Sequence, residues 1–286
     1  MELISENVRY LGADASWDDA QIVLYGAPFD GTTSFRPGTR FGPAAMREAS
    51  IGLENYSPYL DKHLTDLAIY DAGDLVPPIG SVSKMINLVE DQTLRIAQAG
   101  KVPLMLGGEH SISLGAIRAM AQVYPDLRVI HFDAHTDLRP EFMEEPLSHA
   151  CVIYHAWEIL GDKKIASFGI RSGEAEEFAF ARDHLAFHPF DLEGLKEYVA
   201  GLKVQKLPVY FTLDLDVLDP AYLPGTGTPE PGGVTYLDLQ NKIYQMAGLN
   251  VVGLDIMELS PPYDESGVST VLACKLLREI LLALFA

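Results

Sequence analysis

The feature that most restricts the fold of this chain is a repeating unit, a short and almost wholly apolar run followed by a longer stretch with helical spacing of its apolar residues. Runs at Ile22–Gly26, Leu67–Asp71, Val102–Leu106, Arg128–Phe132, Ile165–Gly169, Leu185–Pro189, Val209–Leu213 and Val251–Ile256 are predicted as strands. A strand that is apolar throughout must be covered on both faces, which points to alternating β and α elements around a parallel sheet. Ser83–Ala99 places Met85, Leu88, Val89 and Ile96 on one helical stripe, and Ser111–Val123 and Thr270–Leu284 also read as helices. Eight such strands suit a closed barrel or an open three-layer sheet, and periodicity does not separate the two. Both architectures put function just beyond the carboxyl ends of the strands. No repeat, low-complexity tract or Gly/Ser-rich linker divides the sequence, so residues 1–286 are expected to form a single domain.

Charge narrows the possible partners. With 21 basic and 40 acidic side chains the net charge is −19, a field that repels phosphodiester backbones and anionic lipid and attracts small cations. Binding to nucleic acid or to a membrane is therefore not expected. Met1–Tyr10 has one basic residue and no apolar core of a leader, and no run of apolar residues is long enough to span a bilayer, so a cytoplasmic enzyme is expected. Cys151 and Cys274 lie far apart, form no C-x-x-C pair and read as free thiols.

The strand ends hold the chemistry. Val129–Asp137 runs from a strand into Asp133, His135 and Asp137 at i, i+2 and i+4, which in an extended segment point to one side. Three such donors converging beside a buried strand repel one another unless a cation holds them. A second strand runs into Asp214-Leu-Asp216; an isolated pair of this kind is more often a cap or a turn, but two clusters at equivalent strand ends argue against coincidence. Asp219 before Pro220 reads as a turn former. A third strand ends in Gly107-Gly108-Glu109-His110, with glycines that permit close backbone approach. His110, Asp133, His135, Asp137, Asp214 and Asp216 together offer two imidazoles and four carboxylates without a thiolate. That set suits two oxygen-preferring divalent ions, with Mn²⁺ first, rather than one tetrahedral zinc.

These motifs, continued by Pro224-Gly-Thr-Gly-Thr228-Pro-Glu-Pro-Gly-Gly233, resemble the ureohydrolase family, which includes arginase and agmatinase. The resemblance extends from Gly26-Ala-Pro-Phe-Asp30 through Arg36–Pro43 to Gly253–Glu258. It implies an α/β fold, a three-layer α/β/α sandwich with a mainly parallel eight-stranded sheet. It also implies one manganese held by His110, Asp133, Asp137 and Asp214, and a second by Asp133, His135, Asp214 and Asp216. Glu258 would bind a guanidinium, His149 would carry protons to and from solvent, Asp137 would relay one to the departing amine, and Thr228 would line the pocket. His155 reads as structural. A homo-oligomer, trimer or hexamer, is implied by analogy alone.

The resemblance thus predicts a hydrolase that cleaves a guanidinium C–N bond and releases urea. The resemblance implies that arginase-like members hold a substrate carboxylate with an Asn and Ser pattern in the loop after the D-A-H-x-D motif; Leu138–Ser148 contains no Asn and is acidic at Glu141, Glu144 and Glu145, so a carboxylate is poorly served. Agmatine, giving putrescine and urea in polyamine biosynthesis, is the favoured substrate. Arg139 and Arg171 keep guanidinobutyrate as the alternative, because either could pair with a carboxylate. A dinuclear phosphoesterase would want basic residues where this chain is acidic, and a non-catalytic metal-binding homologue is the reading from outside the enzyme class. The P-loop pattern, the dinucleotide-binding glycine turn and the H-E-x-x-H helix are all absent from the sequence.

Overall fold

The computed structural model describes residues 8–286. The reading of Met1–Asn7 as free of a leader lies outside the described residues. Eight strands form one sheet: β1 (Ile22–Ala27), β4 (Ile69–Asp74), β5 (Val102–Gly107), β6 (Arg128–Phe132), β7 (Ile165–Phe168), β8 (Ala186–His188), β9 (Pro208–Asp214) and β10 (Asn250–Met257). The remaining two, β2 (Tyr56–Ser57) and β3 (Lys62–His63), make a small antiparallel ladder. Spatial order in the sheet is β4-β1-β5-β10-β9-β6-β7-β8, and every neighbouring pair is parallel. Since β4 and β8 are edges, the sheet is open, and the barrel that the strand count also allowed is excluded.

The eight expected strands all form, with ends displaced by three residues at most. The expected helices appear as α2 (Val82–Gln98), α3 (Ser113–Val123) and α8 (Val268–Phe285). Five more were not singled out: α1 (Gly42–Ser50), α4 (Val152–Leu160), α5 (Ala175–His184), α6 (Leu195–Gln205) and α7 (Tyr236–Gln245). Ser111 lies in a short 3₁₀ turn, His110–Ile112, before α3, and its hydroxyl donates to Glu109 instead of capping the helix.

Two separate hydrophobic cores line the two faces of the sheet, so this is a three-layer sandwich. One packs Ile22, Leu24, Phe132, Phe168, Phe211 and Leu254 against the side of α1, α6, α7 and α8. The other packs Val23, Tyr25, Met105, Val129 and Ile165 against the side of α2, α3, α4 and α5. Alternate residues of each central strand enter alternate cores, which is why these strands do not alternate between apolar and polar residues along their length. Cys151 and Cys274 are both free and buried. Among the described residues no helix is long and apolar enough to cross a membrane.

Topology sets the place of the site. The chain leaves β5, crosses to β6 three positions away, and later fills the gap with β9 and β10. Such a change of winding direction opens a crevice at the carboxyl ends of the flanking strands. The ends of β5, β6, β9 and β10 meet there. Gly108 lets β5 finish against the loop after β1, because a Cβ on it would stand 1.8 Å from the Phe29 carbonyl oxygen.

Candidate metal and substrate site

The six residues that the sequence marked as donors come together in the crevice. His110 Nδ1 lies 3.0 Å from Asp133 Oδ2, 3.4 Å from Asp137 Oδ2 and 3.4 Å from Asp214 Oδ2. His135 Nδ1 lies 3.0 Å from Asp216 Oδ2 and 3.6 Å from Asp133 Oδ1. Asp133 therefore stands between two groups, one gathered at His110 and one at His135.

The backbone brings them there differently from the extended geometry expected of Asp133–Asp137. Strand β6 stops at Phe132, the chain bends, His135 bridges to Ser172, and Asp137 has a left-handed φ of 51°. A non-glycine residue in that region costs energy and persists where surrounding contacts over-determine it. On the second motif Asp214 ends β9 and caps the 3₁₀ turn Leu215–Val217 by accepting from the Asp216 N–H at 2.8 Å. Asp214 and Asp216 thus belong to a strand end and a turn, and Asp216 Oδ1 in turn accepts from the Ala134 N–H at 3.0 Å. Asp219 is a turn former, accepting from the N–H groups of Ala221, Gly232 and Gly233.

The donor set can be tested for a cation from hydrogen bonding alone. Thr212 Oγ1 donates to the buried Asp255 carboxylate at 2.6 Å and so can only accept from His110 Nε2, 2.8 Å away. A neutral His110 then carries its proton on Nε2, and its bare Nδ1 lone pair faces three carboxylates. That arrangement is repulsive unless a positive charge sits among them. Burial opposes charge on His110, but Asp133, Asp137 and Asp214 pull its pKa well above the ordinary value. Burial, with Asp216 and Asp133 beside it, pushes the Asp214 carboxyl well up, and burial with Asp133 raises Asp137. Asp133 goes the other way: burial penalises its charge, yet the imidazoles of His110, His131 and His135 around it hold it well below the usual range. Two imidazoles and four carboxylates, crowded, buried and without a balancing lysine or arginine, fit one or two divalent cations.

Above the cluster is a cavity of about 250 Å³ whose lining includes Asp137, Arg139, Phe142, His149, Thr228 and Glu258. Glu258 follows β10 at a left-handed φ of 65°, is 6% exposed, and accepts from the His110 N–H at 2.7 Å. Burial, followed by the nearby Glu109, raises its pKa well above the ordinary value. Thr228 Oγ1 approaches Asp216 Oδ2 at 3.4 Å. His149 rests against the loop after β1, with Nδ1 3.4 Å from Thr32 Oγ1 and Nε2 3.4 Å from Ser34 Oγ. That loop is fastened by Glu109, fully buried, which accepts from the Thr32 N–H at 2.8 Å and its hydroxyl at 2.6 Å. His155 bonds Glu158 and the Pro146 carbonyl outside the cavity, in keeping with a structural part.

The two arginines that kept an acidic substrate in view are both engaged within the protein. Arg171 donates to the backbone carbonyls of Glu230, Asp216 and Val217 at 2.6, 2.8 and 3.2 Å. Arg139 lines the cavity, but its guanidinium lies 3.3 Å from Glu174 and 3.5 Å from Glu177 and covers the Phe142 ring at 4.7 Å. Sequence reasoning passed over His131, whose Nε2 lies 2.8 Å from Asp133 Oδ2, and Glu109. The first left a signal, a histidine two residues before Asp133 in the otherwise apolar run Val129–Phe132.

The family model described as "Arginase family" matches residues 20–283. The chain belongs to the arginase family. Within the family it is 47% identical over 277 residues to an agmatinase of Bacillus anthracis, covering 96% of this chain and 95% of that one. An N(1)-aminopropylagmatine ureohydrolase of Thermococcus kodakarensis is 38% identical, with 85% and 84% covered. The crystal structure of the agmatine ureohydrolase of Thermoplasma volcanium superposes with a TM-score of 0.90 at 36% identity, covering 98% of this chain and 95% of that one. The sandwich is thus the arginase-family fold, and the chain is an enzyme of the ureohydrolase class.

Proposed function

We propose that this ureohydrolase binds two Mn²⁺ ions and hydrolyses agmatine to putrescine and urea. The observation that carries the reading is the crowded carboxylate–imidazole floor beneath a cavity whose one lining arginine is already paired with Glu174 and Glu177. Such a cavity favours a cationic group at each end of the substrate, and among the described lining residues its arginine is already paired and so is not free to receive a carboxylate tail. That argues for agmatine over guanidinobutyrate. The relatives named as agmatinases support the same choice.

In this reading His110, Asp133, Asp137 and Asp214 hold one ion and Asp133, His135, Asp214 and Asp216 the other. The pair, when bound, supplies the Lewis acidity that activates water and offsets charge developing at the attacked carbon. Glu258, anchored by the His110 N–H, fixes the position and plane of the guanidinium. Orientation of this kind converts binding into rate by removing translational and rotational freedom before the chemical step. Asp137 accepts a proton and passes it to the leaving amine. His149 exchanges protons with solvent through Nε2 beside Ser34, and Thr228 closes the wall next to Asp216. The reading includes one domain over residues 1–286, a cytoplasmic location and a trimeric or hexameric assembly.

The test is urea release by Mn²⁺-loaded protein from agmatine, arginine, guanidinobutyrate and guanidinopropionate, each separately. Agmatine should give the highest kcat/KM. A higher value for any of the carboxylate-bearing compounds overturns the substrate choice, and absence of urea from all four favours the non-catalytic homologue.

A further inference from the structure

We propose that His131 is a positioning residue that aims the carboxylate of Asp133, the residue common to both donor groups; the inference rests on the metal reading above. His131 has no exposed surface and sits mid-strand in β6 between Ile130 and Phe132, where an apolar side chain is the default. The sheet gives it polar neighbours on both sides in register, Ser167 on β7 and Thr212 on β9, and the register continues from Thr212 to Asp255 on β10. A polar row therefore crosses four adjacent strands directly beneath the donor cluster.

The hydrogen bonds fix the tautomer of the ring. Nε2 lies 2.8 Å from Asp133 Oδ2, and Nδ1 lies 3.0 Å from Ser167 Oγ. A carboxylate only accepts, so the neutral ring must carry its proton on Nε2, leaving Nδ1 to accept from the Ser167 hydroxyl. The reverse tautomer would set a lone pair against a carboxylate in a dry core. Asp133 Oδ1 is held as well, by the His135 N–H at 2.6 Å. Each carboxylate oxygen thus has one donor from its own chain segment, and the carboxylate plane is fixed before any cation arrives. His110 reaches the same Oδ2 from the other side, with the two imidazole centroids 5.4 Å apart. In the metal reading His110 would be a ligand, and His131, whose Nε2 proton is committed to Asp133, would orient that carboxylate instead of binding the cation. Outer groups that orient ligands in this way typically change metal affinity by roughly 10- to 100-fold when removed.

The experiment is Mn²⁺ binding by calorimetry and by metal analysis after dialysis on the wild type and on His131→Phe, His131→Gln and Ser167→Ala. Phe keeps the bulk of the ring and removes the donor, whereas the Gln side-chain amide reaches as far as Nε2 and can still donate to Asp133. Affinity should fall about tenfold or more in His131→Phe with the melting temperature retained, return most of the way in His131→Gln, and fall about threefold in Ser167→Ala. At saturating Mn²⁺ the KM for agmatine should stay within about twofold in all three, since a positioning role acts on the cation and not on the substrate. Equal affinity in His131→Phe and wild type overturns the proposal, and so does a His131→Gln protein as weak as His131→Phe, which marks a packing role. If His131→Phe does not fold, Ser167→Ala decides: unchanged affinity there overturns the proposal. A wild type that takes up no Mn²⁺ is a separate result, which removes the metal reading itself.

Discussion

Glu258→Gln separates what this residue does for the substrate from what it costs the fold. Gln keeps the volume and leaves an oxygen to accept the His110 N–H now bonded at 2.7 Å, so the peptide at the end of β5 stays in place. What disappears is one negative charge on a group that is 6% exposed. Breaking a desolvated, hydrogen-bonded charge pair costs about 2–5 kcal/mol. At about 1.4 kcal/mol per decade, a middle value near 3 kcal/mol lowers kcat/KM for agmatine by roughly 150-fold. Stability should move the opposite way. Burial and Glu109 raise the pKa of this carboxyl in the fold. An acid with a raised folded pKa contributes stability while protonated and loses it as the pH rises through that value. Ionising this carboxyl is therefore a burden on the metal-free protein, and Gln, which has no charge to bury, should hold or raise its melting temperature. The assay is urea formation against agmatine concentration, paired with thermal unfolding in chelator. A kcat/KM within fivefold of wild type, or a fall in activity that follows a fall in melting temperature, refutes the reasoning.

Asp216→Ala should remove the partner that lies 3.0 Å from His135 Nδ1, lowering bound Mn²⁺ from two ions per chain to one and urea formation by more than about a hundredfold, read by metal analysis and assay. Adding Mn²⁺ to chelator-treated protein at about 100 times its Kd should stabilise the fold by about 2.7 kcal/mol, and no rise in melting temperature contradicts a preformed site. Arg171→Met should cost about 2–3 kcal/mol of stability in denaturant titration, because the carbonyls of Glu230, Asp216 and Val217 lose a shared charged donor, and it should not change the preference between agmatine and guanidinobutyrate. Against the penalty of its partial burial, bonds from Ser266 and Ser269 hold the Asp264 carboxyl down to about 2. This contribution is present above the ordinary carboxyl pKa and lost as the pH falls towards 2, so Asp264→Asn should narrow the stability difference between pH 5 and pH 2.

Much of the sheet is legible because burial on both faces leaves an unmistakable apolar run, and each of the eight expected strands forms. Helices were harder to read where the apolar stripe is short. In α5, Glu177 is buried, its carboxylate bonded by the Thr136 hydroxyl at 2.7 Å, so a charged residue faces inward. In the site, ligand-type residues at strand ends marked His110, Asp133, His135, Asp137, Asp214 and Asp216, and the chain does gather them. The reason offered for Asp133–Asp137, an extended segment, does not hold, since a bend and a left-handed Asp137 do the work. Glu109 was missed because nothing local marks it, and His131, visible as a histidine in an apolar run, was passed over because the run does not show which neighbour a buried polar residue touches.

Sequence by itself determined the elements, the acidic field and the residue types able to hold a divalent cation, since these follow from local pattern and composition. Tertiary structure decided whether the sheet stays open, which strand ends become neighbours, and which charges remain free. Arg139 and Arg171 illustrate the difference: in sequence each is a cation that could receive a carboxylate, and in the fold one is paired with glutamates and the other bound to backbone carbonyls. Residues far apart along the chain supply those partners. Pairing of this kind depends on distances of a few ångströms, which the order of residues along a chain does not encode locally.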